Sequence, residues 1–491
     1  MRSSIGHSSD LSRALPVRAT GFLAGLHSLT FLGGMLLLAG VCLPHPGLSQ
    51  ATPKPLPEGI TLLDVTAPMH LSLPPLSNPT SAQTAQKPIA SGEYSLGFAR
   101  RFLIPAIGGF VAAGDLDGSG YPDLYVVVPG GSNHFFRNLR NGTFAETTKE
   151  AGVPGTGSDL SATFGDYDHS DHASLFVAGL GGVTVYHNNG DGTFTDVTEK
   201  TGIRRMPGEL ATSALLFDAE GNGRLDLLVT VYTDLNAPPA KASFLFPNDF
   251  ASARSHLYHN QGDGTFREMN LAESLDENPG RTRRALAGDF GHSGRWDLLL
   301  LRDNKPPAFF RNQGQGRFED QTWQAGGENW KYAYVDGQLS DFDHDGKLDV
   351  ALWSTIGNEV LINQGEGKFE QEKTFPLIFA ANHPFGFHGA TADLKADGYD
   401  DLLVVDNNGE WHYIVNHRGK FLLAQLRLQS VGTEAKGERG QSVFPSLSCL
   451  LPVRVQKSGK VVLIGVKTDG QLVALEVRQN QKTPTPHPSR N

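Results

Sequence analysis

One nine-residue pattern recurs six times along this chain of 491 residues, and its spacing limits what the chain can fold into. The fullest copy is Asp341-Phe342-Asp343-His344-Asp345-Gly346-Lys347-Leu348-Asp349, followed at once by the apolar run Val350-Ala351-Leu352-Trp353. Oxygen-bearing side chains stand at positions 1, 3, 5 and 9, with glycine at 6. That order suits a short loop around a hard cation, because alternate residues point inward and glycine permits the sharp turn. An EF-hand needs a glutamate at position 12, where this chain has Leu352. The pattern is expected to be a calcium clip between two β-strands.

The copies begin at Asp115, Asp166, Asp218, Asp289, Asp341 and Asp393, at intervals of 51, 52, 71, 52 and 52 residues. A second marker follows each one: an asparagine, a glycine-rich turn and a phenylalanine. The asparagines Asn138, Asn188, Asn260, Asn312, Asn363 and Asn416 trail their aspartates by 23, 22, 42, 23, 22 and 23 residues. Two markers in fixed phase define a repeat, with an insertion in the third copy. Each repeat reads as four strands: an apolar strand into the aspartate loop, a second out of it, a third ending in aromatic-x-Asn, and a fourth after the glycine turn. Such units close radially, so the fold class is all-β, a β-propeller of seven four-stranded blades, with six as the alternative. A β-solenoid has coils far shorter than this period.

The seventh blade rests on the chain ends. Strands are predicted at Leu450–Val455, Val461–Val466 and Leu472–Val477, one short of a blade. The isolated strand Ile60–Thr66 contains Asp64-Val65-Thr66, which matches Asp196-Val197-Thr198 of a fourth strand. It is expected to supply the missing strand as a clasp between termini and leave no open edge.

Residues 1–51 read as a signal peptide: Arg2, Arg13 and Arg18, an apolar stretch from Gly21 to Leu43, and a small-x-small site at Ser49-Gln50-Ala51. A membrane anchor is the alternative, against which His27, Ser28 and several glycines interrupt the stretch. Cys42 follows valine where a lipidation site wants a small residue, so lipidation is not expected. Residues 52–91 form a Pro-rich linker around the clasp strand, 92–480 the propeller, and 481–491 a disordered tail. The expected location is secreted or periplasmic, with no integral membrane segment after signal cleavage. Cys449 is then the one cysteine left, so no internal disulfide can form. The whole chain has 42 basic and 52 acidic residues, and removing the signal leaves 39 against 51. That balance argues against a nucleic-acid partner.

The paired motifs, Asp-x-Asp-x-(Asp/Asn/Ser)-Gly-x-x-Asp before an apolar strand and then Asn-x-Gly-x-Gly-x-Phe, resemble the FG-GAP or VCBS-type repeat from about Phe110 to Phe421. Such repeats build the propellers of integrin α subunits and of many secreted bacterial proteins. The resemblance implies calcium, held in the aspartate loop between the first two strands of a blade.

The loops are unequal as metal sites. Asp341, Asp343, Asp345 and Asp349 form the full set. Asp115, Asp117, Ser119 and Asp123 substitute a hydroxyl, and Asp218, Glu220, Asn222 and Asp226 a longer carboxylate and an amide. Asp289 and Asp297 flank Gly291 and Ser293, Asp393 and Asp397 flank Lys395, and Ser174 stands where the second loop should close. The lysine ammonium could take the metal's own place. Against all six stands the bland reading that Asp and Gly make good turns. His187 and His259, at a position held elsewhere by Arg137 and Arg311, read as generic outward side chains. The phenylalanines after the glycine turns read as packing between blades.

No constellation of nucleophile, base and orienting group rises above background, and Gly291-His292-Ser293-Gly294 falls in register with the loops. The expected function is a binding or adhesion scaffold for a glycan, protein or cell-envelope component. The alternative is a secreted carbohydrate-active enzyme, such as a polysaccharide lyase, on the same propeller. The expected ligand face lies opposite the calcium loops, on a monomeric propeller. Arg281, Arg283, Arg284, Trp323, Trp330, Tyr332, Tyr334 and Phe385 are its candidate contacts, with the insertion 233–253 beside them. For several of these aromatics, plugging the channel or capping blade edges is the competing reading.

Overall fold

The computed structural model describes residues 59–73, 103–128, 130–237, 250–269, 280–330, 332–354, 357–376, 378, 388–406, 409–430, 447–457 and 460–480. The signal peptide, most of the linker, the tail, much of the insertion and Phe385 lie outside the described residues.

Blade 1 shows how the repeat folds. Its strands are Phe110–Gly114, Asp123–Val127, His134–Asn138 and Phe144–Glu146, each antiparallel to the next. The aspartate loop joins the first two strands and the glycine turn joins the last two. Five more blades repeat this order over 159–196, 209–268, 282–320, 334–371 and 388–424. The inner strand of each blade contacts the next, and the inner strand of blade 7 contacts that of blade 1, so the ring is closed.

Closure uses the chain ends as expected. Leu447–Arg454, Val461–Lys467 and Leu472–Gln479 form three strands of blade 7, and Ile60–Asp64 is the fourth, with Asp64 opposite Leu475. The propeller therefore has seven blades, not six. The shared Asp-x-Thr sequence makes the same turn in both places. Asp64 accepts the Thr66 amide at 2.9 Å and hydroxyl at 2.7 Å, as Asp196 does from Thr198 at 2.9 and 2.6 Å. One strand was not foreseen. Leu426–Ser430 runs parallel to Ile60–Asp64 as a fifth, outermost strand, covering an edge that would otherwise offer unpaired backbone groups.

The phenylalanine of each glycine turn packs on the preceding blade. Phe194 meets Phe135 edge-on at 5.7 Å, Phe369 meets Phe290 at 5.4 Å and Phe421 meets Phe342 at 5.5 Å. Such tilted pairs are favoured over flat stacking, so one residue per repeat welds adjacent sheets.

Candidate functional site

The repeated asparagine turns out to be the joint that positions every loop. In each of blades 1 to 6 its backbone amide donates to the side chain at loop position 9. That acceptor is Asp123, Asp226, Asp297, Asp349 or Asp401 at 2.8 to 2.9 Å, and in blade 2 Ser174 at 3.1 Å. Its side-chain amide donates to a carbonyl of the preceding blade: Val455, Leu116, Tyr167, Ala219, Phe290 and Phe342 in turn, at 2.7 to 3.2 Å. These asparagines are buried, so each bond replaces water that cannot reach the site. The position-9 aspartates are buried as well. Burial pushes Asp349 up to about 7 and Asp123 and Asp401 up to about 6, against the lowering effect of the asparagine amide.

The loops share one backbone whether or not they carry a full ligand set. The first aspartate accepts the amides of positions 5 and 6 in all six, at 2.7 to 3.0 Å. Position 4 is left-handed throughout, even where it is His169, His292, His344 or Ala396. Position 1 thus shapes the loop, and positions 3 and 5 decide what the loop can hold.

A basic side chain reaches the acidic groups in all six loops. Arg140 pairs with Asp117 at 2.7 Å in blade 1. His187 lies 3.2 Å from Asp168, and His259 lies 3.1 Å from Glu220 and 3.3 Å from Asp226. Arg311 lies 3.6 Å from Asp297. These histidines are therefore not generic outward side chains. In blades 2, 3 and 4 the alternation of the third strand turns the residue before the asparagine toward its own loop. In blade 6, Lys395 bonds Asp397 at 2.6 Å and the Asn416 carbonyl at 2.9 Å, with Asp401 at 3.4 Å. Its ammonium sits among the carboxylates, where the sequence placed it.

Blade 5 differs. The residue before Asn363 is Ile362, and the base on the loop is its own Lys347, paired with Asp345. Asp341, Asp343 and Asp345 bring one carboxylate oxygen each within 4.8 Å of the others. Burial and the negative charges of Asp345 and Asp341 raise the pKa of Asp343. Three convergent carboxylates with an incomplete counter-charge fit a hard divalent cation. Asp349 stands beside them with its oxygens on the Asn363 and Phe342 amides, at 2.8 and 2.9 Å. In blade 1 Asp117 is held by Arg140, and in blade 3 Glu220 accepts from Asn222 at 2.8 Å. A second trio, Asp406, Glu410 and His412, closes a hairpin, with Asp406 accepting the Glu410 amide at 2.9 Å.

On the opposite face the expected contacts scatter. Trp330 and Tyr334 are buried in the core between blades 4 and 5, where Trp330 tilts against Phe369. They fill that core, rather than plugging the channel or capping a blade edge. Arg281 is also buried, bonded to Asp303 at 2.8 Å and lying over Tyr232. Arg283 is near the same carboxylate, at 3.9 Å. Tyr332 is half-buried against Tyr334. Trp323, 73% exposed, and Arg284, on the ring axis, keep free surface. No helix among the described residues is long and apolar enough to cross a membrane.

Among curated proteins none is similar to this chain. Among solved structures, a lectin of Agrocybe aegerita, described as recognising non-reducing terminal N-acetylglucosamine, is similar at 19% identity and a TM-score of 0.42. The match covers 64% of this chain and 79% of the lectin. BBS1N, solved in complex with ARL6DN, is similar at 12% identity and a TM-score of 0.45, over 77% of this chain and 96% of that one. The FG-GAP-like repeat matches at residues 115–177, 172–229, 289–352 and 341–404. Each match begins on an aspartate loop and ends in the strand of a following loop, so the seven-bladed ring carries FG-GAP-like repeats in four places.

Proposed function

We propose that this protein is an exported, calcium-binding propeller that serves as a scaffold for binding a glycan, protein or cell-envelope component. The observation that carries the calcium reading is the convergence of Asp341, Asp343 and Asp345, three carboxylates that face a single lysine, Lys347. Asp341 would hold the loop closed while Asp343 and Asp345 supply oxygens, and the cation would relieve their mutual repulsion. Calcium at this site would stiffen the rim between blades 5 and 6, where His344 of one loop stacks on Tyr399 of the next at 4.0 Å. The binding reading rests on a rigid ring with loops of unequal length on the face opposite the aspartate loops. The test is a glycan and cell-wall array probed with the protein from Thr52 onward, with calcium and with chelator. Calcium-sensitive capture of one ligand class is expected. An array without signal in either condition, from protein that melts cooperatively, would end the binding reading.

A further inference from the structure

The inner strands face the ring axis, where a cavity of about 420 Å³ lies. Its lining is matched in register. The residue five places before the first loop aspartate is Phe110, Ser161, Ser213, Arg284, Asp336 or His388 in blades 1 to 6, and all six line the cavity. In blades 2 to 5 a β-bulge falls immediately before this position. There the strand pairing skips one residue, between Asp159 and Ser161, Ala211 and Ser213, Thr282 and Arg284, and Tyr334 and Asp336. A bulge re-aims the side chain that follows it, and finding it at one register in four blades marks a built feature. Three residues nearer the aspartate loops the lining turns apolar, with Phe164 and Leu339.

The ring contains one cation and one anion side by side. Arg284 forms an ion pair with Asp336 at 2.9 Å, and its guanidinium lies 5.0 Å from the centre of the Phe110 ring. The same Asp336 oxygen accepts the Gly337 amide at 2.8 Å. Both side chains keep exposed surface, and the other Asp336 oxygen and the remaining Arg284 donors make no further hydrogen bond among the described residues. Nearby, the buried Ser161 hydroxyl has no hydrogen-bond partner among the described residues. A donor fork beside an acceptor suits a ligand with adjacent groups that can each give and take a hydrogen bond. Arg283 also lines the cavity, but it is mostly buried and turned to Asp303 at 3.9 Å, so the exposed charges are the neutral pair, where an anion would meet Asp336 and a cation would meet Arg284. The volume lies within the range of about 300 to 1,000 Å³ usual for small-molecule sites.

We infer that the axial cavity binds a neutral sugar residue, with Arg284 donating to one hydroxyl and Asp336 accepting from its neighbour. This rests on the reading of the propeller as a binding scaffold, and it names the site and ligand class. The test titrates the mature protein with methyl glycosides of neutral hexoses and N-acetylhexosamines, beside methyl glucuronide, by saturation-transfer NMR and calorimetry. Wild type, Asp336→Asn and Arg284→Gln are compared, with melting temperature as the control for folding. The expected result is one saturable site for a neutral glycoside, weakened at least tenfold by either substitution. If Asp336→Asn fails to fold, Arg284→Gln, at a side chain that is 31% exposed, carries the comparison. Unchanged affinity in the folded variants, or preference for the glucuronide, overturns the axial site while leaving the scaffold reading standing. Absence of binding by every glycoside also overturns it, and the array of longer glycans and cell walls then decides the scaffold reading separately.

Discussion

The loops of blades 5 and 6 have the same backbone, the same first aspartate holding the same amides, and the same asparagine joint to the blade before. They differ at position 3, which is Asp343 in one and Lys395 in the other. In blade 6 the lysine bonds Asp397 and approaches Asp401, and those bonds hold the Asp397 carboxyl below its usual range despite partial burial. In blade 5 burial and its acidic neighbours push Asp343 upward. One lysine thus sits among the carboxylates of blade 6, while in blade 5 Lys347 pairs with Asp345 and leaves Asp341 and Asp343 without a basic partner among the described residues. The lesson is that the aspartate loop is first a folding device, and that the residue at position 3 sets the charge it presents.

The largest expected effect tests what the two loops share. Asn363→Ala and Asn416→Ala each remove a buried joint and leave a carbonyl of the neighbouring blade unpaired. Each should cost about 3 kcal/mol by urea unfolding, equally in both blades. A loss below about 1 kcal/mol in either would show that the phenylalanine welds alone hold the sheets. Next comes the ion itself. Saturating calcium should stabilise the protein by about 2 to 3 kcal/mol over chelator. Asp341→Ala with Asp345→Ala should abolish most of that gain, and Asp393→Ala with Asp397→Ala should leave it whole. Superimposable melting curves in calcium and chelator would remove the metal from blade 5. A smaller effect belongs to the internal cation. Lys395→Met should destabilise by about 1 to 2 kcal/mol in chelator, since two carboxylates lose their partner. Lys395→Asp should make blade 6 respond to calcium, and failure to gain any calcium shift would mean that the loop needs more than position 3. The smallest concerns protons. Burial raises Asp401 to about 6, so its protonated form favours the fold. Stability from this group is therefore full below the unfolded value near 4 and lost as pH rises through 6, about 1 kcal/mol between pH 5 and 7. Asp401→Asn should flatten that slope in a pH series of melts.

The ring, its blade number and the clasp were legible because they are written in local sequence. The aspartates and asparagines keep phase, and Asp64-Val65-Thr66 repeats a fourth-strand turn that any blade would accept. The fifth strand at Leu426–Ser430 was not legible, since an outermost strand beside a covered edge carries no repeat signature. Which loop carries its own cation was only half visible. Lys395 sits inside its loop, but His259 reaches Glu220 from another strand 39 positions on, and only the pleat shows that it points there. Trp330 and Tyr334 look alike in sequence whether they line a mouth or fill a core. The axial ring could have been found by aligning the repeats, because its members share one offset from the first aspartate.

The clasp has a consequence in time. Thr61 and Asn480, which bond across the closure, are 419 residues apart. A chain made at about 5 to 20 residues per second would hold the first of these strands without its antiparallel partner for on the order of 20 to 80 s. For that interval Ile60–Asp64 is a ready edge for any matching strand, including the Leu472–Gln479 strand of another copy. Synthesis in crowded clusters should therefore produce exchanged pairs, each ring locked by the other's first strand. A chain delivered alone locks itself.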